Sequence, residues 1–488
     1  MRRFLALGCA AMLAASGGWA RAQTPPSLPE DAAWRTQRDA LVERFRNLAG
    51  HEDEFGPAWQ PIYRDARPWY ELWGGQSRHE VDSWMMPPDA YGAELAGDWE
   101  HHRNLFAEDP RANIPLVFTT RLSDGTVMST NYWLDLPTGF PAAGRRWPLI
   151  VGLHGSGWLG HPISFVAGRR DAKGPVRTFS VTPIDMKGPW KIEFLNKFLD
   201  HLLAILPVDP DRVYAEGHSL GGMATWIWAE DNPERFAAIS PRAGIGEMYR
   251  AVRLMHVPAW PIHGAEDPVV PRLFDEQMVS ALQNLGAPVR YTVLAGVQHN
   301  MPADLDEEQV IDWYLRQTRY HGPAPADPRD GLQIGPDGSS PWTVVHARAR
   351  RYFVSRNFRN ADWDGERAVV GELGEMIHAA GLTADAELEE VVSLATGDGR
   401  FRMPVPSNLR TDTPPPAASR LVPAQTYVRF VFRGPRAEGL KHLRQVADEA
   451  KAAGHPSAAA GEAVIVPLTI WRDNPDSLAE YRIPVEGL

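Results

Sequence analysis

A serine, a carboxylate and a histidine follow one another in an order suited to acyl transfer: Ser219, then Asp267 after 48 residues, then His299 after a further 32. A serine hydroxyl is a poor nucleophile at neutral pH. It must pass its proton to a nearby imidazole, which later returns it to the leaving group. A carboxylate behind the ring holds the productive tautomer and stabilises the imidazolium. These needs assign Ser219 as nucleophile, His299 as base and Asp267 as orienting acid, with Glu266 its rival. The tetrahedral oxyanion also needs donors. One is the backbone N–H of Leu220, directly after the serine, and another comes from His154-Gly155-Ser156-Gly157, where glycines let a backbone approach closely. The N–H of Ser156 is the preferred second donor and that of Gly155 the next. Two further histidines read as structural: His218 as a neighbour of the serine and His263 as packing beneath the acid loop.

Residues so far apart converge only if the elements before them end on one edge of a sheet. Ser219 lies in Gly217-His218-Ser219-Leu220-Gly221-Gly222, between the apolar run Val213-Tyr214-Ala215 and a helix-like stretch from Met223 to Ala229. This is the G-x-S-x-G pattern of a nucleophile elbow, a sharp strand-to-helix turn that leaves the hydroxyl projecting. A strand at Ala259–Ile262 leads into the Asp267 loop, and one at Val289–Leu294 leads into the His299 loop. Loops at the carboxyl ends of parallel strands emerge on one edge, so the three side chains can meet there. Further strands are predicted at Trp147–Leu153 and Ala237–Ser240, with helices over Ile192–Leu206, Arg272–Leu285 and about Leu305–Thr318. Upstream, Ile114–Thr120 and Val127–Leu134 flank Ser123-Asp124-Gly125-Thr126, a hairpin signature. The stretch from Leu159 to Trp190 reads as a loop that shapes the pocket. Short apolar strands alternating with amphipathic helices indicate a mainly parallel sheet with helices on both faces.

With 488 residues, 44% of them hydrophobic, the chain is long enough for two to four globular domains. Residues 1–22 carry Arg2-Arg3, an apolar run from Phe4 to Ala15 and the small-residue end Ala20-Arg21-Ala22, which predicts a secretory signal cleaved after Ala22 and a periplasmic or secreted protein. The run is too short to span a bilayer. Ordinary export is favoured over a twin-arginine route or lipidation at Cys9. Cys9 is the only cysteine, so the mature chain would have no disulfide and no thiol chemistry. Cleavage removes three arginines and takes the formal charge from -11 to -14, which disfavours nucleic acid and anionic membrane surfaces as partners. From 23 to 111 an arm rich in Trp, Tyr and Pro opens with Trp34, Leu41, Phe45 and Leu48 at helical spacing.

The run Val208-Asp209-Pro210-Asp211-Arg212-Val213-Tyr214 through the elbow, then Asn232-Pro233-Glu234-Arg235-Phe236, resembles alpha/beta-hydrolases of the predicted-peptidase group, near feruloyl and acetylxylan esterases and poly-hydroxybutyrate depolymerase-like proteins. The loops Leu153–Gly157 and His263–Pro271 are similar to that group as well. The resemblance covers about residues 112–318, within a catalytic domain read over 112–320, and implies the alpha/beta-hydrolase fold with the triad above, no metal or organic cofactor, and cleavage of a small-molecule or oligomeric ester. Peptide hydrolysis is the alternative within the same chemistry. A catalytically idle small-molecule-binding protein is the alternative outside it.

A Gly- and Pro-rich linker or loose connection is expected over 321–342, then an α+β domain over 343–488. Tyr352–Arg359 matches Tyr427–Arg433, a helix ending at Gly381 matches one ending at Gly454, and Met403-Pro404 matches Ile483-Pro484. Offsets of 74 from Phe358 to Phe432, 73 from Gly381 to Gly454 and 80 from Pro404 to Pro484 predict two strand-helix-strand-strand repeats. Their order is similar to the effector-binding domains related to GyrI and SOUL proteins, which implies a pocket for a small hydrophobic ligand. Glu389, Glu390 and Glu462 are candidates to select a cation there, against the plainer reading of solvated surface glutamates, and Trp471 is a candidate lining residue.

Overall fold

The computed structural model describes residues 114–140, 144–155, 175–183, 190–301, 305–358, 363–393, 398–405, 416–457, 461–469 and 476–486. The expected leader (1–22), the expected arm (23–111), Ser156, Gly157 and Trp471 lie outside them. The first part of the chain supplies strands β1 (Ile114–Arg121), β2 (Val127–Asp135), β3 (Trp147–Leu153), β4 (Phe179–Pro183), β5 (Val208–His218), β6 (Ala238–Arg242), β7 (Ile262–Gly264) and β8 (Thr292–Leu294). Its helices are α1 (Ile192–Ile205), α2 (Leu220–Asp231), α3 (Leu273–Asn284) and α4 (Glu307–Tyr314). The chain divides into two compact units. One runs to Gly244 and includes Val257–Trp260 and Met301–Pro323; the other holds Ile245–His256, Pro261–Asn300 and everything from Ala324.

In the first unit the strands lie in the order β1-β2-β4-β3-β5-β6. The β1–β2 and β2–β4 pairs are antiparallel, and β4–β3, β3–β5 and β5–β6 are parallel. The hairpin forms where the sequence predicts it: Gly125 takes φ 83 and the Asp124 carboxylate accepts from Thr126 N–H at 2.8 Å. Every residue of β3, β4 and β6 is buried, which requires cover on both faces. Alternation along β5 shows what covers them. Tyr214 stacks on Tyr314 of α4 at 4.8 Å, whereas a side chain at Gly217, on the opposite face, would collide with the Gly221 carbonyl in α2. The mainly parallel sheet with helices on both faces is thus present. One correction concerns β4. The stretch Leu159–Trp190, read as a loop, contributes a buried strand between β2 and β3, and its Ser180 and Thr182 hid the apolar signal.

The second unit contains the parallel pair β7–β8 and a separate antiparallel sheet. That sheet is built from β9 (Thr343–Ala347), β10 (Arg350–Val354), β11 (Glu389–Ser393), β12 (Gly399–Pro404), β13 (Ser419–Val422), β14 (Gln425–Arg433), β15 (Glu462–Pro467) and β16 (Leu478–Val485), with helices α5 (Trp363–Ala379) and α6 (Arg436–Ala452). The elements β10-α5-β11-β12 and β14-α6-β15-β16 are the two predicted repeats. Both helices end on a glycine in the left-handed region, Gly381 (φ 70) and Gly454 (φ 91). The sheet order β13-β10-β12-β11-β15-β16-β14-β9 reads the same from either end, with β11 and β15 joining the halves. Each edge strand is exchanged: β9, just before the first repeat, pairs with β14 of the second, and β13, just before the second, pairs with β10 of the first.

From Ala324 the Gly- and Pro-rich segment is pinned within this unit rather than loosely attached. Asp327 binds Arg250 at 2.7 Å, Leu332 and Ile334 pack against Val431, Leu468 and Leu478, and Ser340 N–H donates to the Val431 carbonyl.

Candidate active site

In the first unit, β5 ends at His218 and α2 begins at Leu220, so Ser219 alone makes the turn. It holds φ 57 and ψ -119, a conformation that strains any residue with a side chain. The neighbouring strand and the helix over-determine it: Ser219 N–H donates to the Arg242 carbonyl of β6 at 2.9 Å, and Met223 N–H of α2 donates to the Ser219 carbonyl at 2.9 Å. The N–H of Leu220 belongs to the first turn of α2, where backbone donors lack intrahelical acceptors. Gly155 runs directly against the elbow. A side chain there would come within 3.1 Å of Ser219 Cβ and 3.2 Å of the His218 carbonyl. The loop is held by the buried His154, whose Nδ1 donates to the Gly155 carbonyl at 2.8 Å and whose own carbonyl accepts from Trp190 Nε1 at 3.1 Å. Of the predicted oxyanion donors, Leu220 and Gly155 therefore flank Ser219.

Beneath the elbow sits a fully buried arginine. Arg242 makes two bonds to Glu307 of α4, at 2.5 and 2.7 Å, and lies 3.5 Å from Glu216 of β5. It ties the adjacent strands β5 and β6 to α4, and no sequence motif announced it.

In the second unit, β7 leads into Asp267 and β8 into His299. Asp267 Oδ1 accepts the N–H groups of Val269 and Val270 at 2.7 and 2.9 Å, which fixes the carboxylate. Oδ2 accepts from His299 Nδ1 at 2.8 Å. Glu266 is exposed, whereas Asp267 is buried and is the carboxylate bonded to His299. Close approach of the two loops depends on Gly264, since a side chain there would collide with the Gln298 carbonyl. His263 lies beneath the acid loop as expected but is no passive filler. Its Nε2 is 2.8 Å from the Val270 carbonyl and 3.3 Å from Asp267 Oδ2, and its Nδ1 is 2.7 Å from Asp275 Oδ2. Burial alone would raise the Asp267 carboxyl, but hydrogen bonds from His263 and then His299 overcome it and hold the group well below the usual carboxylate range. Burial alone would likewise lower His263. The hydrogen bonds to Asp267 and Asp275 reverse that and raise it to about 10.

The three glutamates proposed as cation selectors each hold an arginine instead. Glu389 binds Arg402 at 2.6 Å and Arg482 at 3.0 Å, Glu390 is fully buried against Arg436, and Glu462 binds Arg400 at 2.8 Å. A carboxylate already neutralised by a guanidinium has little charge to offer a cation. The plainer reading also fails for Glu389 and Glu390, which are buried rather than solvated. Among the described residues no helix is long and apolar enough to cross a membrane.

Residues 185–257 match the prolyl oligopeptidase family. NocK of Nocardia uniformis subsp. tsuyamanensis, named as an esterase, is 30% identical over 157 residues, covering 29% of this chain and 46% of its own length. The bifunctional acetylxylan esterase/xylanase XynS20E of Neocallimastix patriciarum is 26% identical over 172 residues, covering 33% of this chain and 25% of its own. A thermostable esterase of known structure is 26% identical and covers 42% of this chain and 63% of its own, with a TM-score of 0.37. The chain thus spans 46% and 25% of the lengths of these two curated relatives.

Proposed function

The chain is a member of the alpha/beta-hydrolase superfamily, and from that premise we propose that it is an exported serine hydrolase that cleaves carboxylic esters through an acyl-Ser219 intermediate. The observation that carries the proposal is the pair Asp267–His299: a buried carboxylate accepts from Nδ1 at 2.8 Å, which leaves Nε2 as the basic nitrogen of a partly exposed ring. In the proposed reaction Ser219 Oγ attacks the ester carbonyl carbon while its proton passes to His299 Nε2. The imidazolium, steadied by Asp267, then protonates the departing alkoxide. Water, deprotonated by the same nitrogen, attacks the acyl carbon and releases the acid, and Ser219 recovers its proton. The N–H of Leu220, with that of Ser156 or Gly155, would bind the oxyanion, each donor worth on the order of 3 kcal/mol.

The match to the prolyl oligopeptidase family supports a second reading, a serine peptidase using the same residues. Amide cleavage differs in the poorer leaving group, which demands fuller protonation by His299.

A fluorophosphonate probe tests the shared chemistry. The wild type is expected to be labelled and Ser219→Ala is not; a folded wild type that resists labelling leaves only the idle, ligand-binding alternative. Acetyl, feruloyl and short acyl esters assayed beside peptide amides then separate esterase from peptidase.

A further inference from the structure

We propose that His263 is a positioning residue for the acid–base pair: it shares Asp267 Oδ2 with His299 and, braced by Asp275, keeps a positive charge there that opposes protonation of His299. The inference rests on the reading of Asp267 and His299 as acid and base.

Hydrogen-bond bookkeeping at the ring sets its charge. The Val270 carbonyl, 2.8 Å from Nε2, can only accept, so Nε2 carries a proton. On the other side Nδ1 is 2.7 Å from Asp275 Oδ2, and an ionised carboxylate also only accepts. With Asp275 ionised, both nitrogens are donors and the ring is an imidazolium. The side chains of His263, Asp267 and Asp275 are 0% exposed, so this charge is balanced by the two carboxylates rather than by water. The upward shift of His263 agrees with this. The charged and titratable groups acting on it are Asp267 from the loop after β7 and Asp275 from α3; Asp275, Glu276 and Arg272 in turn face Tyr291, and His299 approaches Asp267 from the loop after β8.

His299 gains its proton in the field of Asp267, and a second cation on the same oxygen weakens that field. Asp275 has its own part: its Oδ2, 2.7 Å from Nδ1, keeps the His263 charge in place.

The test is the pH dependence of fluorophosphonate inactivation in the full chain for wild type, His263→Gln and the paired variant His263→Gln/Asp275→Asn. Loss of the cation is expected to move the acid limb of His263→Gln upward by about one pH unit. In the paired variant, which removes one charge of each sign and leaves the buried site less unbalanced, the limb moves the same way but less. Nitrogen-15 histidine spectra of the wild type at pH 8 are expected to show both His263 nitrogens protonated. A limb that stays in place while the rate falls equally at every pH, or a His263 ring with one bare nitrogen, overturns the inference while the hydrolase reading stands. A folded wild type that is never labelled overturns both.

Discussion

Ser219, Asp267 and His263 each hold a state that their residue type avoids in free solution. Ser219 stores backbone strain on the order of 1–3 kcal/mol at φ 57, sustained by its bond to the β6 backbone. The other two store electrostatic free energy of opposite pH sense. Asp267, depressed in the folded state, contributes stability above its unfolded value of about 4 that is lost as pH falls. His263, raised in the folded state, contributes stability that is complete below its unfolded value of about 6.5 and disappears as pH climbs through about 10. The wild type is therefore expected to lose unfolding free energy progressively between about pH 6.5 and about 10, and His263→Gln to lack that component; urea titrations across the window measure it. The types of these residues were legible in the chain. Asp267 was assigned there ahead of Glu266; that it is Asp267 which turns inward, while Glu266 stays exposed, is a matter of side-chain burial that the sequence does not record. Asp275 was invisible as a partner, since it sits on a helix whose return to β7 no local spacing records.

At the scale of elements, the local signals read well wherever one short stretch decides the outcome. The hairpin at Asp124-Gly125, the elbow and the glycine ends of α5 and α6 all depend on a few neighbouring dihedral angles. Pairing across the sheet is another matter. The repeat offset revealed two β-α-β-β units, but not the exchange of β9 and β13, because an edge strand can pair with either half without changing its own sequence pattern. The halves are also joined by charge: Glu390 of β11 binds Arg436 at the start of α6, and Glu389 beside it binds Arg482 of β16. Removing the carboxylate leaves a largely buried guanidinium without its counter-charge. Glu390→Gln is expected to cost about 3 kcal/mol, measured by urea unfolding. Glu462→Gln, whose pair with Arg400 is 32% and 31% exposed, serves as the control and is expected to cost under about 1 kcal/mol.

For the whole molecule the chain's charge and its single cysteine carry the argument. If residues 1–22 direct export, the mature protein begins at Gln23, carries a formal charge of -14 and has no thiol. Intact-mass analysis of the exported form is expected to place the N-terminus at Gln23; retention of Met1 or a lipid on Cys9 would replace that assignment. By itself the sequence determined the chemistry on offer and the turns that present it. Nucleophile, base and acid are residue types in a set order, and a turn is a property of consecutive dihedral angles. Only the tertiary structure decided that Asp267 holds His299, that His263 stands between two carboxylates, that Glu389 and Glu390 belong to arginines rather than to a bound cation, and that two repeats exchange their edge strands. Each of these depends on which elements lie side by side, a spatial relation set by burial and pairing over the whole domain rather than by neighbours along the chain.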